Sequence, residues 1–76
     1  MKLVMSNGTI KYFNDEGKLH REDGPAVIYP DGTKFWYVNG HRHRLDGPAI
    51  IRPYQKRWYV NGQRVNRFML FLKRMF

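Results

Sequence analysis

One seven-residue phrase occurs twice in this chain, "HREDGPA" from His20 to Ala26 and "HRLDGPA" from His43 to Ala49, 23 residues apart. Each leads into a matching run: "VIYPDGTKFWYVNG" ends at Gly40, and "IIRPYQKRWYVNG" ends at Gly62, one residue shorter in the turn between Pro53 and Lys56. A weaker copy, "NGTIKYFNDEGKLHREDGPA" from Asn7 to Ala26, lies over the stretch from Asp31 to Ala49 with one extra residue near Asn14. Self-similarity at this period constrains the fold more than composition does, because one unit cannot bury its own apolar face and neighbouring units must stack. The chain reads as one domain: residues 1–64 hold about two and a half copies, and residues 65–76 form a different C-terminal segment.

Each unit reads as two short strands. Ala26-Val27-Ile28-Tyr29 and Lys34-Phe35-Trp36-Tyr37-Val38 are rich in β-branched and aromatic residues, and Pro30-Asp31-Gly32-Thr33 joins them as a hairpin turn. Asn39-Gly40 and Asn61-Gly62 close the second strand of each unit, since Asn-Gly tolerates positive φ at both turn positions. A lone hairpin is marginal in water, so the expected fold is an all-β repeat of stacked antiparallel hairpins forming a meander sheet. Parity assigns the faces. Ala26, Ile28, Trp36 and Val38 keep their apolar character as Ala49, Ile51, Trp58 and Val60, and these are the expected core. Tyr29 becomes Arg52 and Phe35 becomes Arg57, so the other parity is expected to face solvent or a partner.

The repeated phrase has the residues of an acid–base or metal site, but a catalytic centre does not usually come in duplicate. Its mechanical reading is a turn. Asp23 and Asp46 can accept hydrogen bonds from amides just ahead. Gly24 and Gly47 can take positive φ. Pro25 and Pro48 suit the first residue of a strand. His20, His41, His43, Asp23 and Asp46 could supply metal ligands, yet stacking spaces such ligands one per layer rather than closing a tetrahedral set. No nucleophile–histidine pairing of recognisable type and no phosphate-cradling loop is present. The expectation is therefore no catalytic residue, no metal and no cofactor.

Without cysteine the chain has no disulfide or thiolate–metal staple. The residues from Met1 to Ser6 contain too short an apolar run for a secretory signal, and the longest such run, Phe68 to Leu72, is far too short to span a bilayer. These features point to a cytoplasmic protein without a transmembrane segment. The net charge is +8, and it is unevenly placed. Through Thr33 four cations stand against five carboxylates; from Lys34 onward ten cations stand against Asp46 alone. Such asymmetry points to an anionic partner, either an acidic protein surface or a nucleic acid.

The Trp-Tyr-x-Asn-Gly endings at this spacing resemble MORN repeats, and "LHREDGPA…WYVNG" is similar to a divergent MORN-like type found in small bacterial and bacteriophage proteins. The resemblance covers Asn7 to Gly62. It implies hairpins stacked into an elongated sheet that serves as a scaffold for protein contacts. For a phage-encoded chain it implies a protein acting in the host cytoplasm, with occlusion of a host or defence protein as its mode of inhibition.

The second copy has changed in one direction. Arg52, Tyr54, Lys56, Arg57 and Tyr59 make its surface basic and aromatic, the composition of a partner-binding face in which arginines pair with carboxylates or phosphates and aromatics anchor. The tail, Val65 to Phe76, has Asn66 as N-cap and Phe68, Phe71, Leu72 and Met75 at helical spacing. It is expected to be an amphipathic helix covering the open end of the stack. Arg67, Leu70 and Arg74 join the partner-binding set, because Leu70 is apolar between two arginines and capping gives no reason for it. The excess apolar residues favour a second contact, a homodimer through this helix or a partner protein. The competing reading for the basic–aromatic face is single-stranded DNA or RNA, with phosphates on the cations and bases on the rings.

Overall fold

In the computed structural model, which describes residues 1–69, the chain forms nine short strands: β1 (Lys2–Val4), β2 (Ile10–Tyr12), β3 (Val27–Ile28), β4 (Lys34–Phe35), β5 (Tyr37–Val38), β6 (His41–Arg42), β7 (Ile50–Arg52), β8 (Gln55–Val60) and β9 (Gln63–Val65). Seven of them make one sheet in the order β1-β2-β3-β4-β7-β8-β9, every neighbouring pair antiparallel; β5 and β6 pair beside it. A short helix follows, of which residues 67–69 are described. The architecture is the meander of stacked hairpins that the repeat predicts.

Three equivalent hairpins build it. β3–β4 and β7–β8 are the two full copies, and β1–β2 is a third, more complete than the weak sequence match beginning at Asn7 indicates. The turns follow local chemistry. Asn7 Oδ1 accepts the Thr9 N–H and Asp31 Oδ1 accepts the Thr33 N–H, each at 2.9 Å, so a side chain two residues back stands in for a backbone turn bond. Asn39 and Asn61 have φ of 51°, followed by Gly40 and Gly62 at 83° and 82°, the left-handed pair that a two-residue hairpin requires.

The core corrects the parity rule in one respect. Ala26, Val27, Ala49, Ile50 and Val60 are buried, with Thr9 and Thr33, whereas Ile28, Ile51, Trp36, Val38 and Trp58 are only half-buried. Adjacent residues are buried because alternation is broken where each unit enters the sheet. The Phe35 carbonyl accepts the Ala26 N–H while Val27 is the register partner of Phe35; Arg57 stands to Ala49 and Ile50 in the same way. Two residues oppose one, which is a β-bulge, and it recurs at the same place in both copies.

The boundary after residue 64 also moves. Val65 ends β9 opposite Trp58, so it belongs to the sheet, and the helix begins after Asn66, whose Oδ1 accepts the Met69 N–H at 2.7 Å. That is the expected N-cap. The expectations for Leu70, Phe71, Leu72, Arg74 and Met75 lie outside the described residues.

Candidate functional site

The repeated phrase closes a clamp between layers. His43 Nδ1 accepts the Asn61 N–H at 3.0 Å and His20 Nδ1 accepts the Asn39 N–H at 2.9 Å, each imidazole holding the Asn-Gly turn that closes its own unit. Arg44 donates through Nε to Asp46 at 2.9 Å and through a terminal nitrogen to the Pro48 carbonyl at 3.0 Å. Arg21 does the same to Asp23 at 3.0 Å and to Pro25 at 3.2 Å. The same guanidinia lie on rings, Arg21 over Tyr12 at 4.1 Å and Arg44 over Trp36 at 3.9 Å.

This geometry changes the reasons given for two residue types. Asp23 and Asp46 bind the arginine two places earlier, and the Asx turns are made by Asn7, Asn14 and Asp31 instead. Gly24 and Gly47 are not among the positive-φ residues. A Cβ at Gly24 would stand 3.2 Å from the Arg21 guanidinium carbon, and one at Gly47 would stand 2.9 Å from that of Arg44, so glycine is there to let the guanidinium pass. The carboxylates and imidazoles of the phrase are thus engaged in holding the chain. Among the described residues no three metal-ligating side chains gather in one place.

The cross-strand register defines two faces, because directly opposed residues point the same way. Val27, Phe35, Ile50 and Arg57 form one row, and Arg52 and Tyr59 share its side by alternation along β7 and β8. Tyr29 packs edge-on against Phe35 at 5.7 Å, and Phe35 lies 6.5 Å from Tyr37. Arg42 stands opposite Tyr37, and Arg64 opposite Tyr59. The result is a face on which half-buried and exposed tyrosine, phenylalanine and arginine side chains surround the buried Val27 and Ile50. Arg52 lies over the Phe35 ring at 5.5 Å and Arg42 over the Tyr59 ring at 5.3 Å. Arg42 also donates to the Tyr37 hydroxyl at 3.3 Å; that bond raises its pKa from the ordinary arginine value and outweighs the lowering by burial.

Of the residues expected to bind a partner, Arg52, Arg57 and Tyr59 therefore lie together, and Tyr54 stands fully exposed at the tip of the β7–β8 turn. Lys56 and Arg67 do not join them. Lys56 alternates with Arg57 and shares the side of Trp58, and Arg67 lies over the Trp58 ring at 5.6 Å. Leu70 and Arg74 fall outside the described residues. Arg42, Arg64 and Tyr37 belong to the face although the sequence argument passed over them; alternation carried through each Asn-Gly turn identifies them.

Arg67 has a different meaning. Its guanidinium lies on Trp58 as that of Arg44 lies on Trp36, but it stands one place later in the repeat: by register Val65, opposite Trp58, takes the place of His43, whose N–H donates to the Trp36 carbonyl, and Asn66 takes that of Arg44. Asn66 caps the helix instead. Among the described residues no helix is long and apolar enough to cross a membrane. No family model, curated protein or solved structure matches the chain, so the likeness to MORN repeats rests on the residues quoted for it.

Proposed function

We propose that the protein is a small non-enzymatic binding module that docks the tyrosine–arginine face of its sheet onto an acidic surface of another protein and occludes it. The observation that carries this is the state of the rings. Phe35 and Tyr59 already have a guanidinium over one face, and Tyr29, Phe35 and Tyr37 pack edge to face or tilted. Bases stack on open ring faces, whereas carboxylates pair with the outer edges of guanidinia, which ring stacking leaves available. Tyr54, fully exposed at the turn, supplies the aromatic anchor that protein interfaces favour. The phage-type inhibitor role implied by the resemblance is one use of such a surface, in a bacterial cytoplasm.

The test is affinity capture from a bacterial lysate with the wild type beside Arg52→Glu/Arg64→Glu, two exposed positions whose reversal leaves the core untouched. A stoichiometric acidic protein held by the wild type and lost by the variant is the expected result. Equal capture by both overturns the assignment. So does tight binding of a single-stranded oligonucleotide that weakens steeply with salt, which would make the partner a nucleic acid.

A further inference from the structure

We propose that copies of this chain associate head to tail, with β1 of one copy adding to the open edge of β8 in the next and continuing the repeat across the molecular boundary. This is independent of the tyrosine–arginine face, since it uses main-chain groups of β1 and of the part of β8 that β9 leaves unflanked.

The open edges follow from the hydrogen bonds already made. Met5 donates to the Thr9 carbonyl and Phe13 to the Met1 carbonyl, both at 2.8 Å, so alternation turns the main-chain groups of Leu3 toward β2 and those of Lys2 and Val4 away from it. Among the described residues β1 is the last strand at its end of the sheet. At the other end Ala49 donates to the Arg57 carbonyl at 2.9 Å, which turns Arg57 toward β7 and leaves Lys56 facing the opposite side. β9 flanks β8 only from Trp58 to Val60, so among the described residues nothing pairs with β8 at Lys56 on that side. A hollow of about 480 Å³ lies there, lined by Lys56, Trp58, Val65 and Arg67.

The repeat itself says what fits the hollow. At the two inner junctions the second strand of one hairpin receives the first strand of the next: Ile10 opposes Ile28 and Lys11 opposes Val27, then Lys34 opposes Ile51 and Phe35 opposes Ile50. β1 is the first strand of its hairpin, as β3 and β7 are of theirs, with Leu3-Val4 in the place of Val27-Ile28 and Ile50-Ile51. In the same register Val4 of a second copy opposes Lys56 and Leu3 opposes Arg57. An aliphatic side chain opposite a basic one is the pairing already present at Lys11–Val27 and Lys34–Ile51. Leu3 and Val4 are 45% and 60% exposed on the open strand, apolar surface that such pairing covers. Charge favours the same polarity: Asp15, Glu16, Glu22 and Asp23 cluster in the half that begins with β1, and the arginine-rich half carries the receiving edge.

Two proline variants test this, because each removes one outward N–H and, among the described residues, no hydrogen bond. Val4→Pro blocks the donor edge, Lys56→Pro blocks the receiving edge, and an amide fingerprint spectrum verifies the fold of each. The mass of the wild type, followed by light scattering from micromolar to millimolar concentration, is expected to rise beyond a dimer, since a head-to-tail contact does not close on itself. Each variant alone is expected to remain monomeric. Mixed together they should form a one-to-one dimer, because each supplies the edge that the other lacks. A wild type that stays monomeric overturns the proposal. So does a Lys56→Pro protein that dimerises alone, which would place the contact between two β1 strands.

Discussion

His43 accepts the main-chain N–H of Asn61 through Nδ1 at 3.0 Å, and Asn61 is the residue that opens its turn with a φ of 51°. The imidazole thereby ties the start of its unit to the turn that closes it, and His20 repeats the contact at Asn39. An Nδ1 that accepts carries no hydrogen, so both rings hold their proton on Nε2 when neutral. Long-range proton–nitrogen spectra at neutral pH are expected to show that tautomer for His20 and His43. A neutral Nδ1–H form at either position would contradict the contact. His43→Ala should lower stability by about 1 kcal/mol, the usual loss for one side-chain-to-backbone bond, measured by urea unfolding.

The arginine clamp gives a sharper test through its glycine. Gly47→Ala would put a Cβ 2.9 Å from the Arg44 guanidinium, the far end of a flexible side chain, which must shift and weaken its bonds to Asp46 and Pro48 and its seat on Trp36. The expected cost is about 1 kcal/mol, that of a weakened side-chain bond. Gly24→Ala, with 3.2 Å available beside Arg21, should cost less. In an Arg44→Ala background the obstruction is gone and Gly47→Ala should be nearly neutral, so the double-mutant cycle should show strong coupling. Additive effects would mean that the glycine is needed for some other reason.

The carboxylates of the phrase are the lesser partners. The Asp23 and Asp46 side chains are 86% and 77% exposed, and exposed ion pairs contribute little. Asp23→Ala and Asp46→Ala should each lower stability by less than about 1 kcal/mol, and by less than Arg21→Ala or Arg44→Ala, which also remove a cation from a ring. A larger loss from either aspartate than from its arginine would reverse this ranking. Thermal melts of the four variants side by side decide it.

The repeat, the hairpins and both Asn-Gly turns are legible in the sequence because each depends on residues adjacent in the chain. The tyrosine–arginine face was legible in part, since Tyr29→Arg52 and Phe35→Arg57 mark its parity. Clustering in sequence groups Lys56 with Arg57, while a strand sends the two to opposite sides. The bulges at Ala26-Val27 and Ala49-Ile50 were not legible: nothing in "GPAV" or "GPAI" announces that two residues will oppose one. The role of Gly24 and Gly47 was hidden for a related reason, because their steric partner is a side chain folded back from three residues earlier. The seat of Arg67 on Trp58 was not legible either, because the shortened β7–β8 turn puts Asn66, not Arg67, at the repeat position of Arg44.

Asp31 carries the last prediction. Its carboxylate accepts the Thr33 N–H, and that bond, aided by the Thr33 hydroxyl, holds its pKa below the ordinary 3.8. A carboxylate whose pKa is lower in the folded chain contributes stability that is fully present above the unfolded value and is lost as pH falls through the folded value. The Asp31 contribution should therefore persist at pH 5 and above and fade as the pH drops below about 4. The preceding unit supplies the control. Asn7 makes the same bond to Thr9 with a neutral amide at the same 2.9 Å, so Asp31→Asn should keep the turn and stay close to wild type at neutral pH. It should also lose less stability than wild type between pH 5 and pH 2, because an amide has no proton to take up in that interval. Urea unfolding of the two proteins across that range measures the difference. Parallel stability curves would show that Asp31 does not titrate against the turn.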